Sequence, residues 1–191
     1  VFFAYAVGYL AITAVTSVIM KALMPKPSAQ SASGGAGSRG YTVNSQGSAQ
    51  DHQIIYGEVK VGGAIIYDEA SGADNKFFHR VIAIAGHEVD SFVEFYANDE
   101  LLVVNSVGQV TSPSKYFGYL QIKTELGTDT QEAISQLVAS SAHWDNSCTL
   151  SGIAYIYARF TYDQDKYPTG IPVITAVVRG KKVYNPNTGV T

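Results

Sequence analysis

The sequence predicts a mainly β (α+β) fold, a β-sandwich or barrel-like domain with one covering helix, preceded by a hydrophobic N-terminal helix and a flexible linker. Three observations carry this reading. From Gln53 onward, short apolar stretches alternate with turn residues. Thirteen Tyr and eight Phe suit pleated, half-buried surfaces. Before residue 50 the composition is different: first apolar and uncharged, then rich in Ser, Gly, Ala and Gln. The expected boundaries are 1–24 for the helix, 25–50 for the linker and 51–191 for the β-rich domain.

A chain of 191 residues has room for one ordinary domain and appendages. Its net charge of −3 supplies no basic field of the kind that binding to phosphates requires, so no specific nucleic-acid binding is expected. The single cysteine, Cys148, permits no internal disulfide, and the domain must stand on packing.

Val1 to Met20 carry no charge and are long enough, as a helix, to cross a bilayer. No basic region precedes them, as a cleaved signal peptide would require. Ala4, Gly8, Ala11 and Ala14 allow close helix approach, in a membrane or inside a protein bundle. Pro25 and Pro27 open the linker, whose Gly34-Gly35-Ala36-Gly37 lacks the Lys-Ser/Thr of a phosphate loop. The sequence begins at Val1 and stops just after the turn-like Asn185-Pro186-Asn187-Thr188-Gly189, and reads as a window of something longer.

Strands are expected at Ile54–Lys60, Ala64–Asp68, Phe77–Ala85, Glu88–Ala97, Leu101–Val104 and Gly118–Leu126. Gly62-Gly63 and Ala97-Asn98-Asp99 fit turns between neighbours. Thr128 or Thr130 is placed to cap a helix in which Ala133, Ile134, Leu137 and Val138 share one face and cover a sheet. In Ile153–Tyr162, Ile153, Tyr155, Tyr157 and Arg159 share one face and Ala154, Ile156, Ala158 and Phe160 the other. Ile174–Arg179 and Lys182–Tyr184 flank Gly180 as a last pair or a bent strand.

The residues do not compose a catalytic or metal site. His87-Glu88-Val89-Asp90-Ser91 lacks the second histidine that zinc needs one helical turn later, and His87 is expected to be structural, as are His79 and His52. Asp163 and Asp165 open like a calcium loop, but Tyr167 stands at the next ligand position, so a turn with solvated carboxylates is expected. Ser140, Ser141, His143 and Asp145 crowd together without a nucleophile elbow. Trp144 and Cys148 read as core fillers beside a helix end. No enzyme, cofactor or metal is expected.

Particular strings matter beyond periodicity: Ile54-Ile55-Tyr56-Gly57-Glu58-Val59-Lys60-Val61-Gly62-Gly63, Ala85-Gly86-His87-Glu88-Val89-Asp90, Ala97-Asn98-Asp99-Glu100 and Gly152-Ile153-Ala154-Tyr155-Ile156-Tyr157. Thr161-Tyr162-Asp163, Tyr167-Pro168-Thr169-Gly170-Ile171-Pro172 and Val177-Val178-Arg179-Gly180-Lys181-Lys182-Val183-Tyr184-Asn185-Pro186 continue the series. In order and spacing they resemble the N-terminal portion of the tail-tip attachment proteins of long-tailed phages, the lambda-type host-specificity or central tail hub family.

The resemblance implies a β-rich hub domain of the virion that closes the distal end of the tail tube as a homotrimer, during host attachment and DNA ejection. It implies contacts with the distal tail protein, the tape-measure protein and other tail-tip and receptor-binding proteins. Family members run on into further modules after the Asn-Pro-x-Thr-Gly turn, and receptor recognition is not assigned to this segment. Subunit contacts are expected at Tyr56, Phe92, Tyr155, Tyr157, Phe160 and Tyr162, since aromatics favour interfaces. Phe2, Phe3, Tyr5, Gly8, Tyr9, Leu10 and Ile12 are expected to form a lumenal helix or one contacting the host membrane. The alternative is a single-span bacterial envelope protein presenting a β-rich binding domain.

Overall fold

Where apolar residues alternate, nine strands form among the residues that the computed structural model describes, 43–47 and 51–183, and they pair antiparallel. They are β1 (Glu58–Val61), β2 (Ala64–Ser71), β3 (Phe77–Ala85), β4 (Ser91–Ala97), β5 (Glu100–Val104), β6 (Val110–Ser112), β7 (Leu120–Leu126), β8 (Ala154–Thr161) and β9 (Ile174–Arg179). The only α-helix among the described residues is α1 (Ser135–Ser140). One sheet runs β1-β9-β4-β5-β6 and the other β2-β3-β8-β7. The expected hydrophobic helix, with Phe2, Phe3, Tyr5, Gly8, Tyr9, Leu10 and Ile12, lies outside the described residues, as do Tyr184 and most of the linker. Among those described, no helix is long and apolar enough to cross a membrane.

The two sheets close on one core. Ile82, Ile84, Leu120, Ile122, Ile156 and Phe160 of the four-stranded sheet meet Val61, Leu102, Ile174, Ala176 and Val178 of the five-stranded one. Each large side chain buried there contributes about 1.5–3 kcal/mol. A second core lies on the opposite face of the four-stranded sheet, where Val81, Tyr155 and Tyr157 are covered by Ile134, Leu137 and Trp144. Strand β8 is therefore buried on both sides. The sandwich closes toward a barrel along one side, where the Ile122 N–H donates to the Gly108 carbonyl at 2.7 Å and draws the β5–β6 hairpin toward β7.

Ala97-Asn98-Asp99 is the hairpin expected of it: Ala97 faces Glu100, and Asn98 and Asp99 both take positive φ, 47° and 65°. Gly62-Gly63 is not such a turn. Its flanking strands do not pair with each other, since β1 adds to β9 and β2 to β3, and the two glycines turn the chain from one sheet into the other. Gly63 sits at φ 68°, and a Cβ there would stand 2.3 Å from the Ala83 carbonyl oxygen.

Part of the expected linker belongs to this corner. The Ser45 N–H donates to the Gly63 carbonyl at 3.0 Å and the Ile65 N–H to the Ser45 carbonyl at 2.8 Å. Asn44 donates through Nδ2 to the carbonyls of Gly62 and Ile174 and accepts the Ile174 N–H at 3.0 Å. An edge of backbone groups was waiting there, and a polar residue of the linker satisfies it.

Other expectations are adjusted. Residues 88–90 form a loop rather than the start of β4, β6 was not foreseen, and residues 182–183 belong to no strand. The helix begins at Ser135 with no side-chain cap, instead of at Thr128 or Thr130. The cause is Gln131, which is buried. Its Oε1 accepts the Gly127 N–H, and its Nε2 lies 2.6–3.1 Å from the carbonyls of Thr149, Leu150 and Ile153, holding residues 127–134 as a fixed turn. The face Ile134, Leu137 and Val138 does cover a sheet, as expected.

Candidate assembly surfaces

The clusters that look chemical in the sequence are structural in the fold. The Ile55 N–H donates to His87 Nε2 at 2.9 Å, so Nδ1 carries the proton and donates to the Glu88 carbonyl at 2.7 Å. His87 thus links two chain segments. His79 is fully buried, bonded through Nε2 to the Ser71 hydroxyl at 2.7 Å and through Nδ1 to the Tyr157 hydroxyl at 2.8 Å. Burial keeps its pKa below 6.5, and the neighbouring Arg159 adds to that effect. One partner of His79, Tyr157, lies 78 residues away on β8, which is why spacing alone did not disclose that bond. His52 packs close to Gly86.

Ser141, His143 and Asp145 do not converge on one another. The Ser141 hydroxyl accepts the His143 and Trp144 N–H groups and meets the Tyr67 hydroxyl, while Asp145 caps the Ser147 N–H. His143 Nδ1 faces Glu69 at 3.0 Å instead. Glu69 is the point where the covering segment is fastened to β2. Burial pushes its carboxyl up, but hydrogen bonds from Ser141, Tyr67, His143 and the Ala142 N–H outweigh that and hold it at about 2.

Asp163 forms a turn, its carboxylate accepting the Asp165 N–H at 2.9 Å, while Tyr167 is buried with its hydroxyl on the Tyr119 carbonyl at 2.8 Å. Among the described residues, no three His, Cys, Asp or Glu side chains are grouped as a metal would need.

What the fold presents outward is apolar surface. Leu101 and Val103 stand on the outer face of the five-stranded sheet, opposite the buried Leu102, and both are about half exposed. Beside them the face carries the Lys60–Asp99 and Arg179–Glu58 ion pairs, and Lys60 lies over the Tyr96 ring. At one end of the sandwich, Tyr162 and Phe117 are exposed.

The residues expected at subunit contacts therefore divide. Tyr155, Tyr157 and Phe160 have no exposed surface, because the chain's own covering segment and opposite sheet take both faces of β8. They have nothing to offer a second subunit. Tyr56 and Tyr162 remain exposed, and Phe92 is half-buried against Phe95.

No protein-family model matches this chain, and no curated protein sequence matches it. Among solved structures it is similar to a chain of the virion of a native gene transfer agent particle, with 14% identity and a TM-score of 0.50. The match covers 73% of this chain and 29% of that one, so this chain spans less than a third of that chain's length. At such identity the likeness is one of fold.

Proposed function

We propose that this chain is a structural subunit of a phage-type particle, the front part of a tail-tip hub. In this reading it closes the distal tail tube as a homotrimer and links tape-measure, distal tail and receptor-binding proteins during host attachment and DNA ejection. One observation carries it: the fold shared with a virion chain extends over 73% of this protein. The strings noted between Ile54 and Pro186 point the same way, independently of the fold comparison.

The physical argument concerns surface. A hub without covalent links is held by large, closed interfaces between symmetric copies. Exposed Tyr56, Tyr162, Leu101 and Val103 are apolar groups that such interfaces cover, and aromatics are favoured there.

The test is location. Particles washed in detergent should retain the chain, and gold-labelled antibody against residues 51–183 should mark the distal tail end. Recovery of the chain in the detergent phase, with none on particles, would instead establish the single-span envelope protein.

A further inference from the structure

Strand β7 is the last strand of its sheet, and its free edge forms the floor of a groove of about 530 Å³. The Ile122 N–H is taken by Gly108, and the Leu126 carbonyl accepts the Val89 N–H. Both residues therefore point their backbone groups away from β8. Thr124, midway between them, does the same and has no partner on that side among the described residues. A gap of one residue is too short for an added strand and fits a side chain.

The groove's walls differ. Phe95, Val104 and Ile122 line it on the sandwich side, and Glu125 and Glu132 on the other. Neither carboxylate takes part in an ion pair among the described residues. Glu125 is half-buried, and burial first, then Glu132, raises its pKa. Lys123, on the same strand face, opposes this only weakly and lies beyond ion-pair distance. The register partner of Glu125 is Tyr155, which is fully buried beneath the covering segment. Charges drawn out of water are ordinarily paired.

We propose that this groove receives a lysine or arginine side chain from a different protein, with its aliphatic stem on Phe95, Val104 and Ile122. Its cationic head sits between Glu125 and Glu132 and donates to the Thr124 carbonyl. Long basic side chains bury their stems and keep a charged tip, which is the shape of this site. A second copy is disfavoured as the source, because a net charge of −3 repels its like and attracts a basic partner. The inference requires only a protein partner and stands whether or not the virion reading holds.

Titration of the isotope-labelled full chain with Nα-acetyl-lysine amide, followed by amide NMR, tests it. Nα-acetyl-norleucine amide is the uncharged control. Saturable shifts at Thr124, Glu125 and Glu132 are expected for the lysine probe, with at least about fivefold weaker binding of the norleucine probe. Glu132→Gln, at an exposed position that leaves the fold intact, should weaken lysine binding about threefold or more. Equal binding of both probes, no shifts, or indifference to Glu132→Gln would overturn the proposal. Self-association of the chain abolished by Glu132→Gln, read by sedimentation, would also overturn it, because the occupant would then be a second copy.

Discussion

The two sheets of this sandwich are built from similar alternating strands, yet their outer faces have opposite fates. The four-stranded sheet carries Val81, Tyr155 and Tyr157 on its outer side, and residues 127–152 fold back over them with Leu137 and Trp144. The five-stranded sheet carries Leu101, Val103 and half-buried Val177, and there the chain supplies no comparable cover among the described residues. One apolar face is covered by residues 127–152, while the other stays open among the described residues. In the proposed assembly this open face is where a neighbouring subunit would sit, since contiguous exposed apolar surface is what such contacts cover.

The comparison breaks most sharply at Tyr157. Its ring is fully buried under the cover, and its hydroxyl bonds buried His79. Tyr157→Ala should destabilise the domain by about 3–5 kcal/mol, the usual cost of emptying a large aromatic site. The loss would appear as a lower urea midpoint. If the midpoint stayed within experimental scatter of the parent, the cover would not be a true second core.

The sharpening experiment comes next in size and concerns the fastening of the cover. Glu69→Ala leaves the Tyr67 hydroxyl and the Ala142 N–H without their acceptor, which should cost about 1–3 kcal/mol. Acid should do the same to the parent. The carboxyl titrates near 2 when folded and near 4.5 when unfolded, so the unfolded chain takes up its proton first. The stability Glu69 contributes is therefore fully present above pH 4.5 and is lost as pH falls toward 2. His79, whose folded pKa lies below 6.5, adds a separate loss that begins as pH drops under 6.5. Chemical denaturation of parent and Glu69→Ala between pH 7 and 3 checks this: the gap between the two should be constant above pH 4.5 and narrow steadily below it.

How much of this was legible beforehand follows from the same contrast. Alternation in Ile153–Tyr162 disclosed that both faces of β8 make contacts, because a period of two is a local property. It did not disclose what covers them, since a neighbouring subunit and the chain's own residues 127–152 hide the same apolar atoms. Assigning Tyr155, Tyr157 and Phe160 to a subunit contact followed from that ambiguity. Gln131 was passed over for a related reason: its bonds reach residues 149–153, and nothing in its neighbourhood signals a distant partner. Strand β6 spans three residues, too few for a period to show. Of the other candidates, Tyr56 and Tyr162 are exposed: Tyr162 precedes the Asp163 turn that was readable, whereas Tyr56 precedes Gly57, whose positive φ interrupts a stretch expected to be one strand.

The smallest expected effect on stability is also the one that best separates the two faces. Leu101→Ser and Val103→Ser remove apolar atoms from the bare side, where each residue is already about half in water. Surface changes of this kind ordinarily move stability by less than about 0.5 kcal/mol, so the isolated chain should unfold as the parent does. Incorporation into particles is the measurement that distinguishes the readings. If another subunit covers this face, the double substitution should cut the chain recovered on washed particles severalfold, while the denaturation midpoint stays put. A variant that assembles as well as the parent would mean that the bare face is simply solvated. The uncovered apolar surface would then have to be sought at Tyr56 and Tyr162, where the same pair of measurements applies.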